Sequence, residues 1–129
     1  MFQSSIYDYI NVLDTAADAS ALRQKVIAQN IANDDTPGYI RQDVSFEREL
    51  DRALGYSPYN TMDARVAALR ERDVRYRIYD DAKGFTYRMD ENNVDMDTEN
   101  AYLAENQIKY NALMESLKAE FSNLRTVMK

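Results

Sequence analysis

One stretch shows where the first long element of the chain ends, and it reads Ala28-Gln29-Asn30-Ile31-Ala32-Asn33-Asp34-Asp35-Thr36-Pro37-Gly38-Tyr39. Pro37 disfavours helical backbone at Thr36, because the proline ring clashes with the residue before it. Gly38 permits the positive φ that a sharp turn requires. The stretch therefore predicts a helix that ends near Asn33, followed by a change in the direction of the chain.

The segment before this turn has the spacing of an amphipathic helix. Residues 1–33 contain no glycine or proline, and apolar side chains recur every three or four positions. The predicted seam of this N-terminal helix is partly heptad-like and includes Ile6, Ile10, Leu13, Ile27, Asn30 and Ile31. Ala and Ser occupy the middle of the seam, so we expect a partner to approach closely there.

The last segment, residues 97–129, repeats this pattern. Asp97 is the predicted N-cap, and Glu99 lies in the first turn, where its charge suits the helix dipole. Neither long helix is stable alone in water, because each exposes its seam unless something covers it. The two seams either pack on each other within one monomer or contact further subunits. The C-terminal seam consists of Leu103, Asn106, Tyr110, Leu113, Leu117, Phe121 and Leu124.

The middle region, residues 34–96, has a different pattern. Residues 45–54 predict a short helix, residues 62–71 another turn or two, and the Gly55–Asn60 stretch separates them. Alternation over Val74–Ile78 and Phe85–Met89, around a loop that contains Gly84, predicts a β-hairpin. The predicted fold is mainly α, with residues 1–33 and 97–129 forming one helical domain around this small middle region.

The composition argues against catalysis. The 129 residues include no Cys and no His, which excludes thiol nucleophiles, Ser–His or Cys–His catalytic arrangements and zinc sites of the usual ligand types. The acidic residues 90–97 do not match an EF-hand loop, because Asp95 stands where that loop needs glycine. The three glycines are isolated, so there is no glycine-rich phosphate loop. We therefore expect no enzyme activity, no cofactor and no metal site.

The charge balance and hydropathy limit the partners. Acidic residues number 22 against 16 basic ones, and a net charge of −6 disfavours binding to nucleic acid. Six arginines do lie within residues 65–88, but acidic residues among them leave little local excess. The longest apolar run is four residues, far short of a membrane span. We expect no nucleic acid partner, no direct membrane insertion and no cleaved signal peptide.

The turn stretch, residues 28–39, resembles the N-terminal signature of the bacterial flagellar axial proteins, a family of rod, hook and hook-associated proteins. The continuation, Ile40–Phe46, and the late segments Asn92–Asp97 and Leu103–Asn106 resemble the short basal-body rod branch of this family. The length of the chain and its small middle region also suit that branch.

This resemblance implies a structural subunit of the proximal rod that assembles helically around the export channel and transmits torque. It implies terminal helices paired as an antiparallel coiled coil, and export from the cytoplasm to the basal body without a cleaved signal peptide. The implied partners are further copies of the chain, other rod proteins, the hook–basal-body junction protein FliE, the membrane ring protein and the flagellar type III export apparatus.

The resemblance also makes the two seams and the turn the expected assembly surfaces. From the pattern alone, a cytoplasmic coiled-coil adaptor or an export chaperone is the alternative, and such a protein would be folded and dimeric when purified. The candidate interface residues are Ile6, Ile10, Leu13, Ile27, Asn30, Ile31, Asn33, Thr36, Pro37, Gly38, Tyr39, Leu103, Asn106, Tyr110, Leu113, Leu117, Phe121 and Leu124.

Overall fold

A computed structural model of the chain describes residues 5–69, 73–82 and 88–129. The fold is mainly helical, as the sequence pattern predicts, and both short helices of the middle region are present. The first helix ends one residue before Asn33, so the turn lies where Pro37 and Gly38 indicate. In chain order the elements are α1 (Ser5–Ala32), β1 (Gln42–Val44), α2 (Phe46–Gly55), α3 (Met62–Ala68), β2 (Ile78–Asp80) and α4 (Met96–Val127).

The two long helices, α1 and α4, pack against each other in opposite directions. The side-chain amide of Asn30, near the end of α1, lies 3.2 Å from a carboxylate oxygen of Glu99, in the first turn of α4. Asn106, two turns further along α4, donates to the main-chain carbonyl of Ser20 at 2.9 Å. The expected pairing of the terminal helices is confirmed, and each seam contributes to it within one chain.

The core lies where α1 meets the middle region and α4. Ala16, Ala19 and Ser20 are buried along α1, and their small side chains allow the close approach that the seam predicts. Phe46, at the start of α2, packs against this row and meets Tyr76 edge-on, with 6.0 Å between the ring centroids. The small residues along the middle of α1 leave part of the specificity of the fold to polar contacts.

The predicted β-hairpin takes another form. A small antiparallel two-stranded element is confirmed, but β2 pairs with β1, in the register Val44 opposite Ile78. Residues 85–87 of the strand predicted after Gly84 lie outside the described residues. Ser45 extends the observed pairing, because it exchanges hydrogen bonds with Arg77 through its main-chain N–H (3.0 Å) and its hydroxyl (3.1 Å). These contacts pair β2 with a strand that lies far away in the sequence.

The N-cap of α4 also differs from the prediction. The cap is Asp95, whose carboxylate accepts from the main-chain N–H of Asp97 at 3.1 Å and from the hydroxyl of Thr98 at 3.0 Å. Asp97 therefore lies inside the first turn together with Glu99. The helix begins early because Asp95 has extended backbone and an acceptor side chain, the combination that an N-cap requires.

Replacement of Leu117 tests the contact that α4 makes through its seam. The side chain is buried, so we expect Leu117→Ala to lower the free energy of unfolding by about 2–4 kcal/mol. Lys118→Ala is the matched control, because Lys118 is exposed and makes only a surface ion pair with Glu115. Urea denaturation followed by circular dichroism measures both variants. Equal stability of the two would show that Leu117 is not part of the core.

Candidate assembly site and the polar junction beneath it

The turn after α1 is fastened to a segment that lies far away in sequence. Gly38 has a φ of 74°, the positive value that the Pro-Gly pair predicts. Its main-chain N–H donates to the carbonyl of Asp90 at 2.6 Å. On the helical side, the amide of Asn33 donates to the carbonyl of Gln29 at 2.8 Å. The turn is therefore held on both sides, although Thr36, Pro37 and Gly38 are exposed.

Asn92 holds the turn that follows α1. Its side chain is completely buried, and its amide lies 2.8 Å from the carbonyl oxygen of Asn33, 2.9 Å from that of Asp34 and 2.8 Å from that of Thr36. Its own side-chain oxygen accepts from the main-chain N–H of Val94 at 2.8 Å. Asn92 therefore fastens this turn to the segment that precedes α4.

Asn30 joins α1 to the chain after the turn. Its amide donates to the main-chain carbonyl of Gln42 at 2.8 Å and to Glu99. Its oxygen accepts from the N–H of Gln42 at 2.9 Å and from the hydroxyl of Tyr39 at 3.0 Å. Both hydrogens and both lone pairs of the carboxamide are thus used. The Asn30 side chain therefore bonds both main-chain groups of Gln42, at the start of β1, as a residue of a neighbouring strand would.

A buried ion pair connects the middle region to α4. Arg41 donates from Nε to Glu99 and from Nη1 to Asp81, each at 2.5 Å, and Glu99 is 1% exposed. The main-chain N–H of Arg41 donates to Asn93 at 2.7 Å, and its guanidinium lies 5.1 Å from the centre of the Tyr102 ring. Burial opposes the charge, but the hydrogen bond to Glu99 and the neighbouring carboxylates raise the pKa of Arg41.

A second ionic group lies beside this pair and links α1, α2 and α4. Arg23 donates to the carbonyl of Val44 at 2.7 Å, to Asp43 at 3.1 Å and to both carboxylate oxygens of Glu47. Lys109 of α4 also donates to Glu47, at 2.6 Å. Partial burial raises the pKa of Glu47, but the hydrogen bonds from Arg23 and Lys109 outweigh it and lower that pKa to about 2.

The candidate interface residues fall into three groups by exposure. Buried inside the chain are Ile27, Asn30, Asn106 and Leu117. Half-buried at the edges of the helix pair and the turn are Ile10, Leu13, Ile31, Asn33, Tyr39, Leu103, Tyr110, Leu113 and Leu124. Exposed are Thr36, Pro37, Gly38 and Phe121, whereas the side chain of Ile6 lies outside the described residues.

The sequence pattern did not identify the side chains that join α1, the middle region and α4. The main ones are Arg41, Asn92 and Glu99. Glu99 offers the clearest signal, because it precedes Leu103 at seam spacing and so places a carboxylate on an otherwise apolar stripe. A charge on a buried stripe needs a buried partner of opposite sign. Arg41 has no such signal, since nothing local indicates which acid it will meet.

Two other kinds of site, a metal centre and a membrane span, are not seen among the described residues. Over residues 5–69, 73–82 and 88–129, no three acidic side chains are arranged to hold a metal ion. Within the same ranges, no helix combines the length and the apolar character needed to cross a bilayer. The features that remain are the helix pair, the turn and the polar junction, by which we mean Asn30, Arg41, Asn92 and Glu99 with their partners.

Comparison with known proteins matches this region to a class of protein. Residues 10–39, which cover most of α1 and the turn, match the family described as flagella basal body rod protein. The stretch that forms most of α1 and the turn thus matches one class of protein, the rod-type proteins of the bacterial flagellum.

Relatives that are similar over nearly the whole chain identify the family within this class. The flagellar basal body rod protein FlgB of Bacillus subtilis (strain 168) is 40% identical over 120 residues, covering 92% of each chain. FlgB of Borreliella burgdorferi is 35% identical, over 87% of this chain and 89% of the relative. FlgB of Escherichia coli (strain K12) is 30% identical, over 88% and 87%. The chain therefore belongs to the FlgB family of flagellar basal body rod proteins, which confirms the resemblance seen in the sequence.

Gly38 provides a test of the turn that leaves the packing unchanged. A Cβ at Gly38 meets no atom within 4 Å, so the cost of Gly38→Ala comes from the positive φ alone, about 1 kcal/mol. Gly55→Ala is the control, because a Cβ there also meets nothing within 4 Å and Gly55 ends α2 without a positive φ. We expect a lower melting temperature for the first variant only. Equal melting temperatures would show that the turn is unstrained.

The low pKa of Glu47 predicts a pH dependence of stability. A carboxyl whose pKa falls on folding stabilises the fold above its ordinary pKa of 4.5, and this contribution is lost as pH falls through about 2. Glu47→Gln should therefore lower the melting temperature at pH 7, and the difference from wild type should shrink between pH 4.5 and pH 2. Thermal melts across this range measure it. A difference that stays constant with pH would exclude the ionic role.

Proposed function

We propose that the chain is a structural, non-enzymatic subunit of the proximal rod that assembles helically around the export channel and transmits torque. Membership of the FlgB family supports the coarser part, a component of the flagellar basal body rod. The proposed partners are further copies, other rod proteins, the junction protein FliE and the membrane ring protein. The type III export apparatus would deliver the chain from the cytoplasm without cleavage of a signal peptide.

The observation that carries the assembly proposal is the apolar surface of α4. Phe121 is 54% exposed, and Val127 and Met128 near the end of the helix are more exposed still. Phe121 lies four residues after the buried Leu117, so it borders the seam that α1 covers. Large apolar side chains that lie beside a buried seam and face water indicate a partner surface.

The candidate interface residues have two different roles in the proposed assembly. We propose that the exposed and half-buried ones, such as Phe121, Tyr110 and Leu13, contact neighbouring subunits. The buried ones, such as Ile27 and Leu117, hold the helix pair in the shape that presents these surfaces. A face that meets a different face of the next subunit adds copies without closing a small ring, and such contacts build a helical tube.

The polar junction suits a part under mechanical load. The contacts of Arg41 with Glu99 and Asp81 tie the middle region to α4, and Asn92 ties the segment before α4 to the end of α1. Removing one member of a buried ion pair costs about 3–5 kcal/mol, so the elements resist sliding past one another. A rigid subunit passes rotation to its neighbour instead of deforming.

Phe121→Asp tests the proposed surface. The side chain is exposed, so the melting temperature of the isolated chain should change little. A carboxylate buried between subunits without a partner is costly, and incorporation into rods should fall by about tenfold or more. Immunoblots of purified basal bodies, together with motility assays, measure the loss.

Ser122→Asp is the matched control, since it adds the same charge at the next exposed position of α4 and should leave incorporation intact. Normal rods with Phe121→Asp would remove this surface from the interface. A purified wild-type chain that forms a stable folded dimer and is absent from basal bodies would instead favour the cytoplasmic adaptor or export chaperone.

A further inference from the structure

An apolar cavity lies between the first half of α1, α2 and α3. Its volume is about 130 Å³, and it opens to the surface. The residues that line it on α1 recur at spacings of three and four, so they share one face of that helix. Among the described residues, none of those that line the cavity belongs to α4, so the second long helix of the same chain does not fill it. The apolar residues that line the cavity are Val12, Phe46, Leu50, Val66, Leu69 and Val74.

The size and the lining of the cavity favour an aromatic ring as its occupant. The atoms around an apolar void lack neighbours on one side, so a group that fills the void gains their contacts. An apolar cavity of about 150 Å³ holds a benzene molecule. A cavity of about 130 Å³ that is open on one side therefore accommodates the ring of a phenylalanine. The ring of a tyrosine would carry a hydroxyl into mainly apolar surroundings, which is costly unless the hydroxyl finds a partner.

The rim of the cavity is acidic. Among the described residues that line it, Asp8 carries the only charge, and Asn11 and Thr15 are the other polar ones. Asp8 is half-buried and forms no ion pair within the described part of the chain. Asp63 of α3 already accepts from the hydroxyl of Tyr9 at 2.5 Å. An occupant that carries a cation beside its ring would therefore meet the carboxylate of Asp8.

The C-terminal part of α4 presents a ring with cations beside it. Phe121 is exposed and has no hydroxyl. Lys118 precedes it by three residues and Arg125 follows it by four, so both cations lie on one side of the ring. Leu117 and Leu124 lie on the other side, toward the seam that α1 covers.

The acidic residues of this part of α4 leave one cation available to a partner. Lys118 already pairs with Glu115 at 2.8 Å on the surface of the helix. Glu120 directly precedes Phe121 and therefore lies about 100° away around the helix. Arg125 is exposed and has no ion pair within the described part of the chain. Arg125 is thus the cation that an acid of a neighbouring molecule can meet.

We propose that the cavity receives the ring of Phe121 from a second copy of the chain, and that Asp8 of the receiving copy pairs with Arg125 of the incoming helix. The ring fills the apolar space, and the ion pair fixes the direction from which the helix approaches. Because the ring and the cavity belong to different surfaces of one chain, the same contact repeats from copy to copy, as a helical tube requires. The inference rests on the proposed function and names one contact within it.

Cysteine crosslinking tests this contact, because the chain has no cysteine of its own. One copy carries Asn11→Cys at the rim of the cavity, and a second copy with a different tag carries Ser122→Cys beside the ring. Both positions are exposed. Basal bodies from cells that express the two copies together are treated with a short bismaleimide. We expect a crosslinked pair that contains both tags.

Ala21→Cys replaces Asn11→Cys in the matched control. Ala21 is also exposed, but it lies ten residues further along α1, about 15 Å from the rim. We expect little crosslinked product with this control. Equal crosslinking of the two combinations, or no crosslinked pair in rods that contain both copies, would overturn the inference and leave the proposed function standing. Absence of the wild-type chain from basal bodies would instead reject the proposed function.

Charge reversal provides a second test. Asp8→Lys and Arg125→Glu should each lower incorporation into rods by about twofold to fivefold, as the loss of a partly exposed ion pair predicts. Asp8 lies in the first turn of α1 and Arg125 in the last turn of α4, so each reversal also opposes the dipole of its own helix. A merely structural effect would therefore be greater in the double variant. We expect the double variant to recover incorporation, measured by immunoblots of purified basal bodies. A greater loss than in either single variant would overturn the inference.

Discussion

The buried pair of Arg41 and Glu99 is the constraint on which the rest of the structure depends. It joins two residues that are 58 positions apart, one directly before β1 and one in the first turn of α4. The second carboxylate oxygen of Glu99 accepts from Asn30, so the same acid also holds the end of α1. Moving α4 by one turn would leave a buried charge without its partner, which costs several kcal/mol. The register of the helix pair therefore follows from electrostatics as much as from packing.

A small core explains why polar contacts have this role. Alanines and Ser20 line the middle of α1, and such side chains bury little apolar surface and tolerate sliding. Asn106, Asn30 and Glu99 interrupt the α1–α4 contact at intervals along the helices, and each meets one particular partner. This arrangement resembles the way in which a single polar residue sets the register of a coiled coil. Specificity comes from a few hydrogen-bonded groups, and the small apolar residues allow the approach.

The sequence predicted those parts of the fold that depend on local pattern. Periodicity located both long helices, and the Pro37-Gly38 pair located the end of α1. The pairing of β2 with β1 was not predicted, because alternation around Gly84 points to the nearest strand, whereas Ser45 and Arg77 bond each other across 32 positions. Within the candidate site, Ile27, Asn106 and Leu117 were predicted by spacing, and the structure buries them. Asn92 and Arg41 were missed because their partners are defined only by the tertiary structure.

Several contacts of α1 and of the turn after it join residues that are far apart in the sequence. This distance affects the folding kinetics. The partners of Asn92 lie 56 to 59 positions before it, and Asn106 bonds a carbonyl 86 positions away. The ribosome synthesises the chain from its N-terminus. The residues of α1 and of the turn after it therefore lack these partners until the later residues have been made. Contacts of such long range form slowly, because loop closure precedes any gain from pairing. The nascent chain therefore cannot complete these contacts before Asn92 and Asn106 have been synthesised.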